Sequence, residues 1–139
     1  IMMIKVSSLF GQILSEIFSS VNFDKLVSDH GAEHRAKGFR SRTQLISMLF
    51  CHLARADSIR EIVNGLSCCN GKLVHLGIGT PPKRSTLSYA NEYRPAALFE
   101  DLFNVLLARF RSVTHLGARK TKFRFKNKLL SFDSTTNTL

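Results

Sequence analysis

The feature that most constrains this chain is a change of hydrophobic period near its end. From Phe10 to Phe110 the large apolar residues recur three and four apart, the spacing of amphipathic helices. Beyond Gly117 the pattern switches to strict alternation: Lys122, Arg124 and Lys126 interleave with Phe123 and Phe125, as on a strand with one polar face. Asn127-Lys128 suits a turn, and Leu129 to Asp133 reads as a second strand. The expected fold is therefore mainly α: a helical region over 1–112, followed over 113–139 by the opening β-hairpin of another domain. A hairpin alone is not a stable unit.

Helix boundaries follow from local chemistry. Phe10, Ile13, Leu14, Ile17, Phe18 and Val21 form one stripe over roughly residues 7–19. Asn22 can cap a short helix carrying Phe23, Leu26 and Val27, which closes at His30-Gly31. Residues 31–42 form a polar, basic connector with Phe39 as its only large apolar residue. Ser41-Arg42-Thr43-Gln44 and Ser58-Ile59-Arg60-Glu61 both match the capping box. The first opens a helix to about Arg55, and the second a helix with Ile59, Ile62, Val63 and Leu66 inward. A turn or two at Leu73, Val74 and Leu76 ends at Gly77. Pro81-Pro82 then forces an extended lead-in. Lys83 to Arg94 reads as a helix with Leu87 and Ala90 facing in. Pro95 marks the start of another, striped by Phe99, Leu102, Phe103, Leu106 and Phe110 to about Arg111.

Charge narrows the class of partner. The net charge of +10 predicts attraction to polyanions. Its placement is uneven: residues 1–30 are nearly neutral, while Leu102 to Phe132 holds no acid and eight bases. That segregation is what a nucleic-acid footprint requires; a surface built only for solubility usually mixes the signs. Cys51, Cys68 and Cys69 lack the spacing of a zinc site or a disulfide framework, which points to a reducing, cytoplasmic compartment. No apolar run is long enough for a membrane span, and the first residues do not form a signal peptide. The initial Ile1 suggests a fragment or an alternative start.

Two stretches carry candidate chemistry. Ser58 to Arg94 has the layout of a helix-turn-helix-like DNA reader, in which Lys83 and Arg84 meet phosphates and Ser85, Ser88 and Tyr89 reach phosphate or base edges. The connection between its helices is longer than the usual turn, so an ordinary bundle with a polar loop stays open. The basic strand reads either as a solvent-facing edge guarded by lysines or as a DNA channel formed by Lys122, Arg124 and Lys126 with Arg119 and Lys120. Asp133, followed by Ser134-Thr135-Thr136, either caps a turn or is a strand-end acid that needs a cation or a hydrogen-bond partner. A nucleophile elbow, a Gly-rich phosphate loop and an HExxH helix are all missing, so no small-molecule substrate is expected. His52 reads as a histidine satisfied within the core.

Taken in order, Phe10-Gly11-Gln12, Lys37-Gly38-Phe39, Gln44 to Phe50, Ser58 to Ile62, Ser85 to Asn91, Phe125 to Lys128 and Asp133 to Thr136 resemble the N-terminal part of bacterial insertion-sequence DDE transposases. The nearest likeness is to the insertion-sequence-four-like family. The resemblance implies a helical region that binds double-stranded transposon-end DNA, then a ribonuclease-H-like α/β domain, incomplete here. In that domain three acids hold two divalent metals, magnesium by expectation, for phosphoryl transfer. Asp133 corresponds to the first acid and is thus the catalytic and metal-ligating candidate. By the same resemblance the other two acids would lie past Leu139, so the chain alone is expected to bind DNA without cutting it. A homodimer, and a stand-alone regulator that occupies transposon ends, are the further expectations. RNA binding ranks below them for want of an aromatic strand motif.

Overall fold

The computed structural model describes residues 8–34, 36–69 and 71–114, and these are helical as expected. The expected hairpin, with Arg119, Lys120, Lys122, Arg124, Lys126 and Asp133, lies outside the described residues. Among the described residues six helices follow one another: α1 (Leu9–Ser20), α2 (Phe23–Asp29), α3 (Ser41–Ala54), α4 (Ile59–Cys68), α5 (Arg84–Tyr93) and α6 (Ala96–Thr114). A single 3-10 turn, Leu73–Leu76, links α4 to α5. No helix among the described residues is long and apolar enough to cross a membrane.

Local signals place most ends. Ser8 caps α1 by accepting from the Gly11 N–H at 3.1 Å, and Asn22 caps α2 by accepting from the Lys25 N–H at 3.1 Å. The capping box at α4 forms with one variation. The Ser58 hydroxyl accepts from the Glu61 N–H at 3.2 Å, but the Glu61 carboxylate reaches past Ser58 to the Asp57 N–H at 2.9 Å. The 3-10 turn closes on Gly77 at φ 83°, in the left-handed region that glycine enters without strain.

The capping box expected at Ser41 does not form. Arg40 is the capping residue and offers no side-chain bond, while Ser41 is the first helical residue and fully buried. The cap comes from Glu33 in the connector, whose carboxylate accepts the Ser41 N–H at 2.6 Å and the Arg40 guanidinium at 2.8 Å. Burial alone would raise the Glu33 carboxyl, but these two donors favour its charged form, and its pKa falls below the ordinary value.

Helix α3 is the hub. Ile46 enters a core with Leu14, Ile62, Leu66, Leu73 and Leu87, while its neighbour Leu45 enters a second core with Phe23, Val27, Leu98 and Leu102. Successive residues point about 100° apart on a helix, so one helix serves both cores. Full burial of each such side chain contributes about 1.5–3 kcal/mol. Gly65 lets α4 approach α3: a Cβ there would stand 2.7 Å from the Phe50 ring.

Two further expectations change. His52 is exposed on α3 rather than buried in the core. Of the expected α6 stripe only Leu102 is buried, with Leu98 beside it, whereas Phe103 and Phe110 are more than half exposed, as is Val113. The helix runs 19 residues to Thr114, about 28 Å, and its second half borders a groove shared with Glu16 and Ser20 of α1.

Candidate nucleic-acid interface

The candidate surface is built around α5. Leu87 and Ala90 are buried against α3 and α4, which turns the opposite side of the helix outward. Lys83, Arg84, Ser85, Ser88 and Tyr89 are accordingly all exposed. Pro82 is buried and leads in from the 3-10 turn, so the start of α5 is anchored.

That start is electropositive for three reasons. Lys83 occupies the capping position without a side-chain bond to the first turn, and the first turn holds no acid. Its N–H groups therefore keep the partial positive charge of a helix N-terminus. Lys83 and Arg84 add two full charges at the same place.

The exposed side of α5 is divided. Arg84 and Ser88 line a groove of about 520 Å³ shared with the start of α4, where Arg60, Asn64 and the capping pair Ser58 and Glu61 form the other wall. Arg60 and Asn64 are the residues that sequence reasoning missed. Arg60 stands inside the α4 capping box, which drew attention to Ser58 and Glu61 alone, and nothing local marks a side chain that faces another helix. Tyr89 does not join this groove. It turns to the far side of α5, where its ring lies 4.3 Å from that of Tyr93 with a 38° tilt. That side forms a second cleft, of about 430 Å³, against the connector residues His34, Lys37 and Phe39.

The floor of the second cleft is fixed by a partly buried polar network. Arg94 donates to Gln44 at 3.0 Å and to the Phe39 carbonyl, and its guanidinium stands 5.2 Å over the Phe39 ring. Gln44 donates in turn to Asn91 at 2.9 Å. Burial lowers the Arg94 pKa from its usual value, although the Glu33 carboxylate opposes the shift. The guanidinium stays charged, since an arginine starts so far above neutrality.

Elsewhere the chemistry is sparse. His30 and Asp101 pair at 2.6 Å and tie the end of α2 to α6. Among the described residues no three His, Cys, Asp or Glu side chains converge as a metal site would require. The Cys51 thiol is buried beside the Ala56 carbonyl, 3.2 Å away, and burial pushes its pKa up, helped by Asp57 and Glu61. It is a packing residue rather than a nucleophile.

Residues 5–79 match the family model described as a domain of unknown function, DUF4372. The match spans more than half of the chain and includes α1 to α4 and the 3-10 turn, ending just short of Lys83. No curated protein and no solved structure matches the chain.

Proposed function

The chain belongs to the DUF4372 family, and from that membership we propose that it is the DNA-binding N-terminal part of a DDE-type transposase. The observation that carries this reading is the start of α5, where an uncapped, acid-free first turn and two bases are held outward by Leu87. A phosphate fits such a terminus through backbone N–H groups and charge together. The groove beside it offers Arg84, Ser88, Arg60 and Asn64, the donor types that contact backbone and base edges. Supporting the wider assignment, this family is common in transposase-like proteins. The ordered set of motifs resembles the insertion-sequence-four-like enzymes, and the +10 charge suits a polyanion.

On this reading the helical region brings a transposon end to a ribonuclease-H-like domain that begins after α6. Asp133 is then the first of the acids that would hold magnesium, which supplies Lewis-acid chemistry to phosphoryl transfer. This chain's own contribution is binding and orientation of duplex.

The experiment is a fluorescence-anisotropy titration of labelled duplex across a salt series. Binding should weaken steeply with salt, because each phosphate contact releases counterions. Replacing both Lys83 and Arg84 by Ala should flatten the log–log salt slope by about 2. Removing the same charge from the end of α6, with Arg109→Ala and Arg111→Ala, should change the slope less. Equal effects from the two pairs would mean attraction without a site, and no binding at low salt would end the proposal.

A further inference from the structure

The cleft on the far side of α5 has no role in duplex binding as proposed above, yet it is the more enclosed of the two. Its wall is the Tyr89–Tyr93 pair, two residues that are 65% and 63% exposed. Its other residues are aromatic or basic where they are not small: Phe39, Lys37, His34 and Arg94. Acids stand aside from it. Glu33 is engaged by Arg40 and the Ser41 N–H, and Glu92, on the same helix, does not line the cleft.

We propose that this cleft receives one unpaired nucleobase of a DNA strand, stacked on Tyr93 and Tyr89 with its phosphates toward Lys37 and His34. The inference rests on the DNA-binding reading and deepens it. Every base has a π-face, and aromatic side chains beside a cationic rim are the usual platform for unstacked bases. A volume of about 430 Å³ lies in the range of small-molecule sites. The charge argues for a nucleotide over an uncharged planar ligand: among the described residues the cleft has cations and no free acid, and the chain is basic overall. Position argues for DNA, because the cleft and the duplex groove flank one helix. A strand lying across α5 with an extruded base would engage both.

The protein is suited to a direct test, since Tyr89 and Tyr93 are its only tyrosines and it has no tryptophan. The full chain, labelled at its tyrosine rings, is titrated with a paired duplex and with the same duplex carrying one bulged thymine, while anisotropy gives the affinities. The bulged duplex should bind roughly tenfold tighter and shift both tyrosine signals upfield; the paired duplex should leave the signals in place. Tyr93→Ala should abolish the preference but keep the affinity for paired DNA, whereas Tyr93→Phe should retain both. Tyr93 is mostly exposed, so the variant keeps its helical circular dichroism. The inference falls if the wild type shows no preference, or if Tyr93→Ala keeps it. It also falls if a proline-rich peptide moves the tyrosine signals and the bulged duplex does not. Should paired DNA fail to bind at all, the duplex reading fails separately. A short oligothymidine that still shifts the two signals would then uphold the cleft, and one that leaves them unmoved would remove it.

Discussion

Replacing Glu33 and Ser41 in turn distinguishes two accounts of how α3 begins. In the local account Ser41 is an N-cap, and Ser41→Ala should cost about 1 kcal/mol. In the structure the Ser41 hydroxyl is buried without a hydrogen-bond partner among the described residues, so its removal should be neutral to within about 0.5 kcal/mol. Glu33→Ala should be the damaging change. It leaves the Ser41 N–H, in a fully buried residue, without its 2.6 Å acceptor; an unsatisfied buried donor costs about 1–3 kcal/mol. The Arg40 partner adds little, because that side chain is 68% exposed. The expected loss is therefore about 2 kcal/mol, read as a fall in the urea midpoint followed by circular dichroism. The pH dependence supplies a second check. The Glu33 pKa is depressed in the fold, so its ionic contribution is complete above the ordinary value of 4.5 and is lost as pH falls through the lowered folded value. The gap between wild type and Glu33→Ala should shrink between pH 7 and about pH 3.5. If Ser41→Ala costs as much as Glu33→Ala, or if the gap is the same at both pH values, the reasoning is refuted.

Three other outcomes are expected. Gly65→Ala gains about 1 kcal/mol of helix propensity but places a Cβ 2.7 Å from Phe50. Crowding should win, with a net loss of up to about 2 kcal/mol in thermal unfolding, relieved by adding Phe50→Leu. Arg94→Lys removes the fork that holds Gln44 and the Phe39 carbonyl and should cost about 1.5–3 kcal/mol in urea; an unchanged midpoint would count against the network. Cys51 should resist thiol reagents at neutral pH while exposed Cys68 reacts, and urea should make the two equal.

Reading the chain as a sequence recovered the helices and their inward residues, because both depend on short-range order. Leu14, Ile62, Leu66 and Leu87 are buried where period 3.6 places them. Asn22 and Ser58 cap where a side chain meets an N–H three residues on. The basic start of α5 was legible for the same reason, since two bases after a proline pair lie next to each other in any fold.

What the sequence by itself determined, then, is everything settled within a turn or two of helix: element type, most ends, and the exposure of Lys83, Arg84, Ser85, Ser88 and Tyr89. The tertiary structure alone decided which distant groups meet. Glu33, not Ser41, caps α3 from eight residues away; Arg94 reaches Phe39 across 55 residues; and α5 presents two clefts instead of one face. It also decided that Phe103 and Phe110 on the α6 stripe remain more than half exposed, because hydrophobic period reports which side of a helix is apolar and carries no information on how deeply that side is buried.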